Sequence, residues 1–249
     1  MVWGMSLPSA FGEFFPDGKF EGDPQEPQGQ DWGQRLTEYF MAQSVASQKE
    51  LFDYQIDDGN AAYLYPYYVS LKFISDDPRS FNPDFPAWSP IRSHESPEFF
   101  QTLRKVKNLG SIIALNNRII AVDDAMKELL EELEPRVHSF FPIKILMRRG
   151  QYYPKIFYTL VVGQRFDSFA PDLSDSKSFR EDGASSFVHK EGQRAMQSLA
   201  FRASAFSGAQ LWKERRIGRE WLLCMSDRLV SEISRRGLRI PNHFEMLEV

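Results

Sequence analysis

Cysteine is nearly absent from this chain of 249 residues: Cys224 is the only one. A single thiol excludes an intramolecular disulfide and any zinc site built from several thiolates. It lies in the apolar run Trp221-Leu222-Leu223-Cys224-Met225, which reads as the setting of a buried, inert thiol in preference to a nucleophile. Histidine is scarce too. His94, His138, His189 and His243 are far apart, with no H-x-x-x-H or H-E-x-x-H pairing, so a metal site would have to be assembled wholly by the fold. There is no G-x-S-x-G elbow, no G-x-x-x-x-G-K-[ST] loop and no G-x-G-x-x-G after a strand. No apolar stretch approaches the roughly 18 residues that a membrane span needs. The first lysine, Lys19, follows Glu13 and Asp17, so the N-terminus lacks the basic start of a secretory leader. These gaps set the expectation of a soluble cytoplasmic protein with no catalytic residues, metal or cofactor.

A surplus of positive charge is missing as well. The formal net charge is −4, with 30 basic residues against 34 acidic ones. That balance argues against nucleic acid as a direct partner, because phosphate binding needs a basic face. It is also too even for an acidic mimic of nucleic acid.

Aromatic residues are present in quantity. Hydrophobic residues make up 42% of the chain and phenylalanine alone accounts for 21 positions. A disordered chain would lack them, so the protein is globular. Residues 1–30 hold glycine at 4, 12, 18, 22 and 29 and proline at 8, 16, 24 and 27. With Trp3, Phe11, Phe14, Phe15 and Phe20 between them, they read as an extended arm packed along the body. Residues 31–249 read as a single domain.

Within that domain, "AAYLYPYYVSLKF" (61–73) reads as a tyrosine-rich strand broken or placed at an edge by Pro66. Five prolines between 78 and 97 mark a long connection over the surface, pinned by Phe81, Phe85 and Trp88. Ser96-Pro97-Glu98 has the form of a helix start, with Phe99, Phe100, Leu103 and Val106 at helical spacing and Gly110 as the stop. "SIIALNNRIIAV" (111–122) predicts two short strands about Asn116-Asn117. Asp123 or Asp124 then caps a helix whose Met126, Leu129, Leu130 and Leu133 fall on one face. "FFPIKILM" and "KIFYTLVVG" predict two strands joined through Arg148-Arg149-Gly150-Gln151, the second apolar on both faces and so interior. Residues 170–192 read as an exposed loop. "WLLCM" predicts a strand, followed by a helix capped by Ser226, buried through Leu229, Val230 and Ile233, and ended at Gly237. The sum is an α+β fold: a mixed, largely antiparallel sheet with helices packed on it.

"ELLEELEPRVHSFFPIKI" (128–145) holds the densest group of acids beside a histidine. On one helix Glu134 and His138 would share a face, but Pro135 cannot continue a helix. The expectation is that the helix ends near Leu133 and that His138 enters the next strand apart from Glu134, as a structural histidine bonded to a turn. Glu128, Glu131 and Glu132 read as a solvated face. Asp57-Asp58-Gly59-Asn60 is turn chemistry in preference to a calcium loop. Trp212-Lys213-Glu214-Arg215-Arg216 reads as a surface segment.

Several stretches together resemble a known family. They are "RIIAVDDAMKELLEELEPRVHSFFPIKI" (118–145), "YYPKIFYTLVVGQRFDSF" (152–169), "AFSGAQLWKERR" (205–216), "LLCMSDRLVSEISRRGLRI" (222–240) and "IPNHFEMLEV" (240–249). The chain is similar to the bacterial polymorphic-toxin immunity proteins of family eleven, a myxobacterial-type domain formerly of unknown function. The likeness is good over 110–249, loose over 35–109, and does not include the arm. It implies an antitoxin that binds a cognate secreted effector, in related systems often a nuclease, and blocks its active site. On that reading the exposed acids Asp172, Asp175, Glu181 and Asp182 could face a basic cleft and speed association; an ordinary solvated loop is the plainer reading. Two alternatives stand beside it: a hydrolase using His138 or His189 as base, and a self-associating scaffold or peptide-binding module, with a homodimer as its mark.

Overall fold

A computed structural model describes all residues except 24–29, 45, 49–60, 76, 83–84, 149, 183–185, 191 and 219–221. The acidic turn at 57–60 lies outside the described residues. Two six-stranded sheets carry the α+β fold. The first has the order β2 (Gly18–Glu21), β3 (Phe99–Thr102), β6 (Ser139–Leu146), β7 (Phe157–Val161), β5 (Ile120–Asp123), β4 (Ile112–Ala114). All its pairs are antiparallel except β3 with β6. The second runs β11 (Ala200–Phe201), β14 (His243–Glu248), β1 (Val2–Ser6), β13 (Leu222–Ser226), β12 (Leu211–Glu214), β8 (Arg165–Phe166). Its two outer pairs are parallel and its inner ones antiparallel. A hairpin of β9 (Phe179–Glu181) and β10 (Phe187–His189) stands apart.

Helices α1 (Trp32–Met41) and α2 (Ala61–Ile74) cover one face of the first sheet through Leu36, Phe40, Tyr65 and Phe73. Between the sheets lies a second core, where α3 (Asp124–Leu133) and α5 (Asp227–Arg235) pack Leu129, Leu130, Leu229 and Ile233 against Met5, Leu160 and Leu223. The far face of the second sheet carries a third core around Phe169, Phe201 and Trp212, reached by the short helix α4 (Gln193–Met196).

Both well-signalled helices form where their caps place them. Asp123 accepts the Met126 amide hydrogen bond and Ser226 accepts that of Leu229, each satisfying a donor that the first turn leaves open. Strand β7 sits between β6 and β5, the interior position that its two apolar faces require.

Three expectations are corrected. Residues 61–74 are helical. Positions 68–73 are all buried, because α1, the first sheet and the proline-rich connection surround the helix, and a run buried on every side has no clear period by which to tell it from a buried strand. Pro66 removes one amide donor from that helix, and burial of the run outweighs the loss. Residues 99–102 form a strand, since Phe99 and Phe100 are buried on opposite faces between β2 and β6; tertiary pairing overrides the Ser-Pro-Glu start. Residues 170–192 are not wholly an exposed loop: the β9–β10 hairpin buries Phe187, Val188 and His189. Within the extended N-terminal segment, Val2–Ser6 packs along the body as an interior strand of the second sheet, between β13 and β14.

Candidate functional site

One acid of 128–145, Glu134, meets His138 after all. Helix α3 ends at Leu133, as Pro135 demands, and Glu128, Glu131 and Glu132 are exposed. Arg136 then takes φ of 63°, a left-handed conformation that folds the chain back on itself. His138 Nε2 therefore lies 2.8 Å from Glu134 Oε2, and both side chains are buried. The expected separation of the two is wrong; the expectation of a histidine bonded within a turn is right.

The pair is closed to other chemistry. Glu134 Oε1 accepts from Gln164 Nε2 at 2.6 Å and the Gln210 amide at 2.7 Å, while Oε2 also accepts from the Leu211 amide at 3.0 Å. His138 Nδ1 accepts from the Gly163 amide at 3.2 Å, which leaves the ring proton on Nε2, facing the carboxylate. Burial alone would raise the Glu134 pKa, but the hydrogen bonds from His138, Gln210 and Gln164 outweigh it and hold the carboxyl below its ordinary value. Four donors occupy the carboxylate, so it serves as a clamp between the α3–β6 turn, the segment after β7, and β12 in the second sheet. Gly163 makes the approach possible: a Cβ there would stand 1.8 Å from the Val137 carbonyl oxygen.

A second buried carboxylate, Glu214, sits in β12. Residues 212–214 are not at the surface: Trp212, Lys213 and Glu214 are buried, because β12 runs between β13 and β8, while Arg215 stays exposed. Glu214 Oε2 accepts from the Ser168 amide and hydroxyl and from the Phe169 amide, and Oε1 from the Arg216 amide. Desolvation nevertheless pushes its pKa up. Beside it opens a cleft of about 830 Å³ lined by Ile74, Asp77, Arg165, Asp182, Lys213 and Glu214. Lys213 Nζ reaches the Phe73 carbonyl at the end of α2, at 3.4 Å.

The third polar cluster escaped the sequence reading. Lys72 Nζ lies 2.5 Å from Glu95 Oε2, with both side chains essentially out of solvent. Tyr65 Oη donates to Glu95 Oε1 at 3.2 Å and lies 3.0 Å from His94 Nε2, and the His94 ring stacks on Tyr39 with centroids 3.7 Å apart. Burial lowers the Lys72 pKa and raises that of Tyr65. Lys72, the one charged residue in the run 61–73, is the sequence signal that could have found it.

The four acids expected to face a partner differ in their surroundings. Asp172 forms a bidentate pair with Arg202, both oxygens at 2.9 Å, which holds its pKa down. Asp175 accepts from the Lys177 amide, Glu181 is exposed on β9, and Asp182 sits at the cleft beside Glu214. His189 lines a different cavity, with no carboxylate among its described walls, and His243 bonds the Pro241 carbonyl. Cys224 is fully buried, and desolvation raises its thiol pKa well above the ordinary value. Among the described residues no group of three or more His, Cys, Asp or Glu is placed to hold a metal ion, and no helix is long and apolar enough to cross a membrane.

Glu134 joins elements of both sheets through four hydrogen bonds, and Glu214 binds the segment after β8 to β12. The chain matches the model of the Immunity protein family (Imm11) over residues 41–245 and belongs to that family. The Glu134-Pro135 and His138 positions of the resemblance motif are the clamp itself. No curated protein matches the chain.

Proposed function

We infer that this immunity protein binds a cognate secreted toxin and covers its active site, protecting the cell that makes both. The family match over 41–245 carries the reading. The buried carboxylates support a binder in place of an enzyme: four donors are spent on Glu134 and four on Glu214, so each holds scaffold together. Inhibition of this kind calls for an interface near ~1,600 Å² with a few aromatic or arginine anchors. Should the toxin be a nuclease, its basic cleft would suit Asp172, Asp175, Glu181 and Asp182, which would steer encounter, and the immunity protein would act in the cytoplasm.

The test is calorimetric titration of the chain with inactive forms of the products of any toxin-like reading frames beside its gene. Nanomolar one-to-one binding supports the reading; no binding to any neighbouring product contradicts it. Sedimentation of the free chain distinguishes a monomeric inhibitor from a homodimeric scaffold.

A further inference from the structure

The first sheet leaves part of one face uncovered. Along β6 the side chains alternate between faces: Ile143 and Ile145 join the core under α1 and α2, and Phe140 packs on the core between the sheets. Pro142 and Lys144 continue the Phe140 face, but neither joins that core and both are exposed. Phe99 on β3 stands in register with Lys144. It is 3% exposed and yet belongs to none of the three cores. A groove of about 730 Å³ lies over this end of β6 and residues 152–156.

The groove is apolar and within reach of a partner. Tyr152 is 43% exposed and Ile156 58%, and both line it, with the exposed Pro142 and Pro154. Exposed apolar side chains grouped in this way mark binding surfaces, and tyrosine is among the residues that anchor them. The groove also carries a surplus of positive charge. Its charged residues are Lys144, Lys155 and Glu98. Glu98 is already paired with Arg35 at 2.5 Å, and Lys155 with Asp123 at 2.8 Å. Lys144 has no carboxylate partner among the described residues. Its ammonium stands over the rings of Phe99 and Tyr152, 5.1 and 5.9 Å from their centroids.

An occupant must match both properties. A basic segment would bring like charge to Lys144. A wholly apolar one would take water from the ammonium and return no counter-ion. An apolar side chain with an aspartate or glutamate beside it meets both needs. The side chain packs on Tyr152 and Ile156, and the carboxylate accepts from the Lys144 N–H donors that the rings leave open. We propose that this groove docks the partner polypeptide through an apolar side chain flanked by a carboxylate, held by Tyr152, Ile156 and Lys144. The identity of that polypeptide as the toxin rests on the function proposed above; the chemistry of the groove does not.

Two measurements separate these claims. In the first, the intact chain labelled with nitrogen-15 is titrated with acetyl-Glu-Leu-Glu-Leu-amide and, separately, with acetyl-Lys-Leu-Lys-Leu-amide. The acidic peptide should move the Lys144, Tyr152 and Ile156 amide resonances and bind at least fivefold more tightly than the basic one. Lys144→Glu should reverse that order. Equal binding of the two peptides, or no movement of those resonances, would overturn the proposal. In the second, inactive forms of the products of any toxin-like reading frames beside the gene are titrated with Lys144→Glu, Tyr152→Ala and Ile156→Asp, after thermal melts confirm folding. At least tenfold weaker binding by all three variants supports the docking role. Full-strength binding by all three overturns it even if the acidic peptide binds. A free chain that sediments as a homodimer, and as a monomer with Ile156→Asp, gives the groove to a second copy and overturns the proposal. A wild-type chain that binds no toxin but answers the acidic peptide refutes the proposed function and leaves the groove chemistry standing.

Discussion

His138 donates to Glu134 across 2.8 Å although a proline stands between them in the chain. The left-handed Arg136 closes that turn, and the carboxylate it delivers collects donors from both sheets. Replacing Glu134 with Ala leaves those buried donors unpaired. We expect a loss of about 3–5 kcal/mol, as for a broken buried pair, and about 1–3 kcal/mol for Glu134→Gln, which presents one donor to another. Urea unfolding at neutral pH measures both.

The same carboxylate and Glu214 should give opposite pH slopes. Glu134 has a folded pKa below the ordinary 4.5, so its contribution is present above 4.5 and lost as pH falls through the folded value. Glu214 is raised above 4.5, so its contribution is present below 4.5 and lost as pH rises through the folded value. Glu134→Gln should flatten the acid side of the stability profile, and Glu214→Gln the side above 4.5. Unfolding free energy followed between about pH 3 and 8 reads both slopes.

Gly163 should tolerate no side chain. A methyl group there meets the Val137 carbonyl oxygen at 1.8 Å, and the atom is backbone, so relief requires the clamp turn to move. Gly163→Ala should cost about 1–3 kcal/mol or more. Gly12→Ala, with nothing within 4 Å, should stay within about 0.5 kcal/mol of the parent. Thermal melts of the two variants side by side test the contrast.

Lys72 and Glu95 should depend on one another. Lys72→Ala leaves an uncompensated buried carboxylate and should cost about 3–5 kcal/mol. Removing both charges with Lys72→Met and Glu95→Gln should cost less than the sum of the single changes. A double-mutant cycle in urea gives the coupling.

Much of this architecture is legible in the sequence wherever a period or a cap is clean. Asp123 followed by Met126, Leu129 and Leu130, and Ser226 followed by Leu229 and Ile233, state their helices plainly. The apolar faces of β7 state its interior place. What fails is context. Residues 68–73 are buried on every side, so they carry no clear period. Phe99 and Phe100 satisfy helical spacing and sheet pairing alike, and only β2 and β6 decide between them. Lys213 and Glu214 look like surface charge until β12 is placed between two strands. The clamp depends on one backbone angle at Arg136 that side-chain patterns do not encode. The family motif was readable because Glu134, Pro135 and His138 are close in sequence; the Lys72–Glu95 pair exists only after folding.

Cys224 should be silent in the native protein. It is fully buried with a raised thiol pKa, so a disulfide reagent should label it only after unfolding. Labelling faster than the opening rate would place the thiol within reach of solvent.

The central claim is most directly tested by growth of cells carrying the neighbouring toxin gene under an inducible promoter. Co-expression of this chain should restore colony formation. If the folded chain leaves the cells as sensitive as an empty vector does, for every toxin encoded beside it, the account of it as an immunity protein is contradicted.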